Sequence, residues 1–170
     1  MKPVIVTERL QLREMEAEDA PFMYKLFNSP GWIQFIGDRN IQSIADAKDH
    51  ILDRYISMYD RFGFGLWLVE MKNENISIGT CGLIKRPNLD HIDLGFAFLP
   101  QFQGQGYAFE AASACLKYGY DELRTEKIVA ITIPDNQRSI NLLQKLGMQN
   151  SGPAGLPDDE VCILFEPRDR

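Results

Sequence analysis

QFQGQGYAFEAA, residues 101–112, is the stretch on which the reading of this chain turns. Gly104 and Gly106 stand directly before a run of helix-forming residues. A glycine at a helix start loses roughly 0.5–1 kcal/mol of backbone entropy relative to alanine, so a pair of them marks a place where bare backbone is needed. Leu99-Pro100 closes an apolar run just before it, and the segment reads as strand, glycine turn, helix. Such a turn presents a row of backbone N–H groups, and the helix adds the positive end of its macrodipole, equivalent to about half a charge. Spacing alone leaves two readings open: an anion-binding loop, or a turn that simply needs glycine. A P-loop is set aside because no GxxxxGK[ST] is present, and a dinucleotide fingerprint because position 109 is Phe.

The rest of the chain frames this stretch as part of one domain spanning 1–170. Its 170 residues carry 45% hydrophobic and 25% charged side chains, with no repeat or linker, which fits a single globular core. The formal net charge of −6 argues against nucleic acid or an anionic membrane as a partner. MKPVIVTERLQLRE at the start is charged and alternating, unlike a signal peptide, and no window approaches the ~18–20 apolar residues of a membrane span. The expectation is a cytoplasmic protein. Cys81, Cys115 and Cys162 are isolated, and neither His50 nor His91 has a ligand spacing, so the cysteines read as buried hydrophobes and no metal is expected.

Periodicity supplies the elements. ERLQLREM (8–15) alternates like a half-buried strand, and AEDAPFMYKLFN (17–28) reads as a helix with Asp19 as cap before Pro21. Ser43 opens a longer helix whose apolar positions Ile44, Ala47, Ile51, Tyr55, Met58 and Phe62 step by three or four. Residues 64–72, 76–85 and 91–100 form a three-strand meander. A helix to about Tyr120 follows the glycine stretch, then a buried strand over 127–134 and an amphipathic helix over 136–147 closed by Gly147. A loop, SGPAGLP, precedes a last strand over 160–166. The order β-α-α-β-β-β-α-β-α-β is that of an α+β fold with a mixed, mostly antiparallel sheet. Its one helical crossover makes the 91–99 and 128–133 strands parallel.

The 91–99 strand has unequal faces. Ile92, Leu94, Phe96 and Phe98 are bulky, whereas Asp93 is followed on the other face by Gly95, Ala97 and Leu99. That face reads either as a cleared surface beside an acid group or as an exposed strand end with small residues packed under a helix. Asn136 or Asp135 reads as the cap of the later helix. Glu110 reads as a stabiliser of its helix N-terminus.

Gln101-x-x-Gly104-x-Gly106 resembles the Q/R-x-x-G-x-G/A loop of the GNAT superfamily of N-acetyltransferases, and the likeness extends along the chain. TERLQLRE, IDLGFAFLPQFQGQGYAFEAA and PDNQRSINLLQKLGM resemble, in order and spacing, the RimJ/RimL-like branch that acetylates ribosomal-protein N-termini. The resemblance implies a GNAT fold and acetyl-CoA as cosubstrate. It places the pyrophosphate on Gln101, Gln103, Gly104, Gln105, Gly106, Tyr107 and Ala108, and the pantetheine along the backbone of Phe98 and Leu99, with a backbone N–H near Phe98 meeting the oxyanion. It also implies a cofactor contact at Asn136 and a general base at Asp93, where many members carry Glu. The family's tyrosine acid, seven residues after Asn136, is replaced by Leu143, which leaves Ser139 as the group near the thiol. The stretch 29–40 reads as loop-like and exposes Trp32 and Phe35, with a core aromatic anchoring the helix pair as the other reading of Trp32. In this family that region and SGPAGLPDDE (151–160) wall the acceptor side, where Asp158-Asp159-Glu160 reads as a solvated loop or as an attraction for a cationic acceptor. His91, two residues from Asp93 on the same face, reads as a further base or substrate contact. The implied reaction is acetyl transfer to a peptide N-terminal amine or a small-molecule amine, by a monomer or a homodimer. A non-catalytic acyl-CoA-binding regulatory module is the alternative that the missing tyrosine leaves open. A peptide α-amine, with a pKa of roughly 7.7–8.0 against about 10.4 for lysine, is the easier of the two to deprotonate.

Overall fold

The computed structural model describes residues 2–156 and 161–168. Leu10 and Leu12, on one face of β2 (Leu10–Arg13), are fully buried, as the alternation of the first strand requires. A short β1 (Ile5–Val6) pairs with β2 to make a hairpin. Then β3 (Leu66–Met71), β4 (Ile76–Ile84) and β5 (Ile92–Phe98) continue the antiparallel meander. The long helix α5 (Tyr107–Asp121) crosses over to β6 (Ile128–Thr132), which lies parallel to β5. With β7 (Met148–Pro153) and β8 (Ile163–Pro167), the sheet has the order β1-β2-β3-β4-β5-β6-β8-β7.

Residues opposite each other in a sheet share a face, so the pairs Cys81–Phe96 and Leu83–Leu94 define the side that α5 covers. Cys115 of α5 brings its sulfur 3.6 Å from that of Cys81, and Trp67 meets Tyr118 edge-on. Gly119 lets the helix come close: a Cβ there would lie 2.5 Å from Ile128. The bulky face of β5 is therefore the α5 face.

Before the meander come α1 (Ala20–Phe27), α2 (Pro30–Phe35), α3 (Ile44–His50), a π-helical turn over Ile51–Ile56, and α4 (Ser57–Phe62). The last three run on as the single helix expected from Ser43, whose hydroxyl caps it by accepting from the Asp46 N–H at 3.1 Å. Gly63 closes it with φ of +74°. Tyr59 of α4 donates to the Leu66 carbonyl and accepts from the Met15 N–H, tying this helix to the start of β3. Among the described residues no helix is long and apolar enough to cross a membrane.

The structure corrects several local expectations. The strand expected over 8–15 is found over Leu10–Arg13 only, and a short β1 that was not expected precedes it at Ile5–Val6. Asp19 does not cap α1 with its side chain; it pairs with Arg13, which also binds Glu70, joining β2 to β3. The stretch 29–40, expected as a loop, contains α2, with Pro30 at its first turn. Residues 151–153 extend β7 instead of looping, and β8 begins at Ile163. The acidic run Asp158-Asp159-Glu160 lies outside the described residues.

Candidate active site

The glycine stretch forms the turn that its sequence requires. Gly104 and Gly106 have φ of +74° and +83°, a region that side-chain-bearing residues enter only at a cost of roughly 1–2 kcal/mol. A Cβ on Gly104 would meet nothing within 4 Å, so the loop opens there onto free space. Gly106 is the residue before the first turn of α5, and the Tyr107 and Ala108 N–H groups begin the helix behind it. The Tyr107 side chain is buried, so this residue offers the loop only its backbone.

Behind the loop is a brace from the N-terminal hairpin. The Glu110 carboxylate accepts from the Thr7 hydroxyl at 2.6 Å, the Arg9 N–H at 2.8 Å and the Arg9 Nε at 2.6 Å. Arg9 in turn donates to the Gln105 carbonyl at 3.0 Å and stacks on Tyr107, 4.5 Å from the ring centre. Burial pulls the Glu110 carboxyl up, but the Thr7 and Arg9 contacts outweigh it and leave its pKa below the usual value. Glu110 thus does more than favour its helix start; it anchors TER to the glycine turn.

Beside the loop, β5 and β6 part company. They pair only at Ile92–Ile128 and Asp93–Val129, after which β5 runs on to Phe98 without β6 alongside. The Leu99 N–H donates to the Ile78 carbonyl at 3.0 Å, and Leu83 turns its N–H toward Gly65. Antiparallel pairs alternate, so Phe96 and Phe98 direct their backbone groups away from β4, toward the gap. The Phe98 carbonyl accepts from Gln103 Nε2 at 2.8 Å, and Gln103 is held from the far side by Arg138. The Leu99 N–H is held by Ile78, and its carbonyl accepts from the Phe102 N–H at 3.0 Å.

At the fork of the two strands sits Asp93. Its side chain is 1% exposed, and Oδ2 accepts from Arg86 Nε at 2.6 Å. Oδ1 has no hydrogen-bond partner. Burial pushes the carboxyl up to about 6, against the opposing pull of the Arg86 charge and hydrogen bond and of the Ile131 N–H. The small residues after Asp93 do not clear a surface, however. A Cβ on Gly95 would lie 2.8 Å from Ile84 and 3.3 Å from Leu66, and one on Gly82 would lie 2.1 Å from the Gly65 carbonyl. That face is filled by β3, and the opening is the strand edge. Five strand residues, roughly 16 Å, separate Phe98 from Asp93, whereas the Phe96 N–H faces the same gap much nearer the acid.

A polar backbone edge, an N–H-rich glycine turn and a buried acid at a strand fork now stand in one region, and comparison with known proteins gives this region a family. Residues 9–149 match the acetyltransferase (GNAT) domain model. The chain belongs to the GNAT acetyltransferase family. It is 32% identical to the uncharacterized protein YkkB of Bacillus subtilis, over 88% of this chain and 87% of that one. The [Ribosomal protein uS5]-alanine N-acetyltransferase of Escherichia coli is 32% identical, over 64% of this chain and 55% of its own. An acetyltransferase from Agrobacterium tumefaciens shares the fold with a TM-score of 0.83 at 21% identity, covering 99% of this chain and 96% of its own. The molecule is accordingly an acetyl-CoA-dependent N-acetyltransferase.

Other expected positions of this GNAT domain fall into place unevenly. Asn136 caps α6 (Gln137–Lys145) by accepting from the Ser139 N–H at 3.1 Å, which leaves its amide nitrogen available. Ser139 is buried, and Leu143 is wholly buried in the core. Gln101 is exposed and accepts from the Gln105 side chain at 2.8 Å, so the two glutamines rim the turn. Trp32, expected in an exposed loop, is instead 6% exposed and packs edge-on against Phe27. Its helix α2 folds it inward while leaving Phe35 half-buried. His91 is exposed and close enough to Glu166 for its charge to act on that carboxyl. Arg9, Arg86 and Arg138 were not singled out by sequence. For Arg86 a signal existed: it stands two residues past Ile84, the partner of Asp93, and so on the same face.

Proposed function

We propose that this enzyme acetylates the α-amino group of a protein or peptide N-terminus. The observation that carries the reading is Asp93: a buried carboxylate with one unpartnered oxygen, at the fork beside an open backbone edge. When bound, acetyl-CoA supplies a thioester acetyl group for transfer to an amine. The residues present fit it. Gln103 to Gly106 and the first N–H groups of α5 would hold the pyrophosphate, and the open space over Gly104 leaves room for it. Phe98 would hold the pantetheine by its backbone once Gln103 releases it, with Asn136 alongside. The Phe96 N–H would donate to the carbonyl oxygen, and Ser139 would orient the thiol end.

Asp93 takes up the proton that the acceptor amine must lose. An acid whose pKa is about 6 lies within roughly two decades of a peptide α-amine but more than four from a lysine-type amine. That gap favours an α-amine and agrees with the activity for which the uS5-alanine relative is named. A second reading has its own observation. Glu14, Glu16, Glu18 and Asp60 line a cleft of about 260 Å³ with Tyr59, a wall suited to a polycation. The spermidine N(1)-acetyltransferase of Escherichia coli is 24% identical over 84% of this chain.

Release of the free thiol from acetyl-CoA, measured with alanine-, serine- and methionine-initiated peptides, their N-blocked forms and spermidine, tests both. The proposal expects turnover of the free peptides and silence from the blocked ones. Turnover of spermidine alone would replace it with the second reading.

A further inference from the structure

We propose that Arg86 is a positioning residue for acetyl transfer, fixing the buried Asp93 carboxylate by one oxygen and holding it ionised so that it can take up the amine's proton; this rests on the reading of Asp93 as proton acceptor. The geometry is one-sided. Arg86 Nε reaches only Oδ2, at 2.6 Å, while the buried Oδ1 receives no hydrogen bond of normal geometry. An arginine engaged through both carboxylate oxygens would leave neither of them untied. Arg86 itself is 38% exposed, so it links a buried acid to the protein surface.

The segment carrying Arg86 is braced. Lys85 Nζ donates to the Asp90 carbonyl at 3.1 Å, and the Leu89 N–H donates to the Arg86 carbonyl at 3.4 Å. Among the described residues no other charge serves Asp93. Its partners across β4 and β6 are Ile84 and Val129, and Ile131 contributes only its N–H. Lys127 pairs with Glu166, and His91 also lies toward Glu166. Removing Arg86 would leave the burial of the carboxylate opposed by the Ile131 N–H alone, and Asp93 would keep its proton to higher pH. A lysine would restore the charge without the directed Nε–H.

The test compares wild type, Arg86→Gln, Arg86→Lys and Asp93→Asn. The dependence of kcat/KM on pH is followed with acetyl-CoA and an alanine-initiated peptide, and the Asp93 carboxyl is titrated by carbon-13 NMR. Arg86→Gln is expected to move both the acid limb and the NMR titration up by about one pH unit or more, a tenfold loss of rate on that limb. Arg86→Lys should recover part of the shift, with KM for acetyl-CoA unchanged in both. Coincident limbs and titrations in wild type and Arg86→Gln would overturn the inference, and if that variant does not fold, an unshifted Arg86→Lys would do so. Failure of the underlying reading looks different: Asp93→Asn would then keep the wild-type limb.

Discussion

Glu110→Ala removes the knot between the N-terminal hairpin and the glycine turn. Three donors lose their acceptor: the Thr7 hydroxyl, the Arg9 N–H and the Arg9 guanidinium. Hydrogen bonds to a charged group contribute roughly 1.5–3 kcal/mol each when shielded. The guanidinium is 43% exposed, so that bond belongs with surface pairs and contributes about 0–1 kcal/mol. Thr7 can turn to the Leu10 carbonyl, which already accepts from it at 3.2 Å, so its loss is partly recovered. The net expectation is a destabilisation of about 2–3 kcal/mol at neutral pH, read by urea unfolding. The sign with pH follows from the lowered pKa of Glu110. Its contribution is full above the carboxyl's ordinary value and is lost as pH falls through the folded-state value, so the gap between wild type and variant must close in acid. Acetyl-CoA affinity should weaken too, because Arg9 loses the partner that aims it at the Gln105 carbonyl. A variant with wild-type unfolding and wild-type affinity would refute the idea that this knot shapes the turn.

Two more expectations follow from close packing and burial. Gly82→Ala forces a methyl to within 2.1 Å of the Gly65 carbonyl, a backbone atom that cannot swing aside; it should destabilise by about 3 kcal/mol or fail to fold, read by thermal unfolding. Asp93→Asn should remove a pH dependence of stability. The folded-state pKa of Asp93 is raised from 3.8 to about 6, so the native state takes up its proton first, and wild type gains stability relative to the variant as pH falls from 6 to 4. At about 1.4 kcal/mol per decade the gain is roughly 3 kcal/mol, and a pH-independent difference between the two would contradict the burial argument.

Much of this molecule was legible because its elements follow simple periods. The alternation of Leu10 and Leu12, the helical spacing from Ile44 to Phe62 and the β-branched run before Ile133 each named its element. The parallel placement of β6 followed from the length of the crossover. What escaped was set by tertiary contact. The small residues after Asp93 left a cleared surface and close packing equally open, and only the structure shows Gly95 against Ile84 and Leu66, with Gly82 of the neighbouring strand against Gly65. Trp32 looked exposed because a six-residue helix is too short to show a period, and that helix turns it into the core. The bond of Glu110 to Thr7 spans 103 positions, beyond any local pattern. The site showed the same division: the glycine turn announced itself, whereas the strand fork that makes the adjoining gap appears only when β5 and β6 are paired.

The central claim is that bare backbone at Gly104 receives the pyrophosphate of acetyl-CoA, and calorimetric titration of Gly104→Val tests it most directly. Valine at φ of +74° strains the turn, and its side chain would project into the open space that the ligand needs. The prediction is a loss of affinity of about 100-fold or more, roughly 2.7 kcal/mol, with a melting temperature within a few degrees of wild type. An unchanged dissociation constant in a folded Gly104→Val protein would contradict the account.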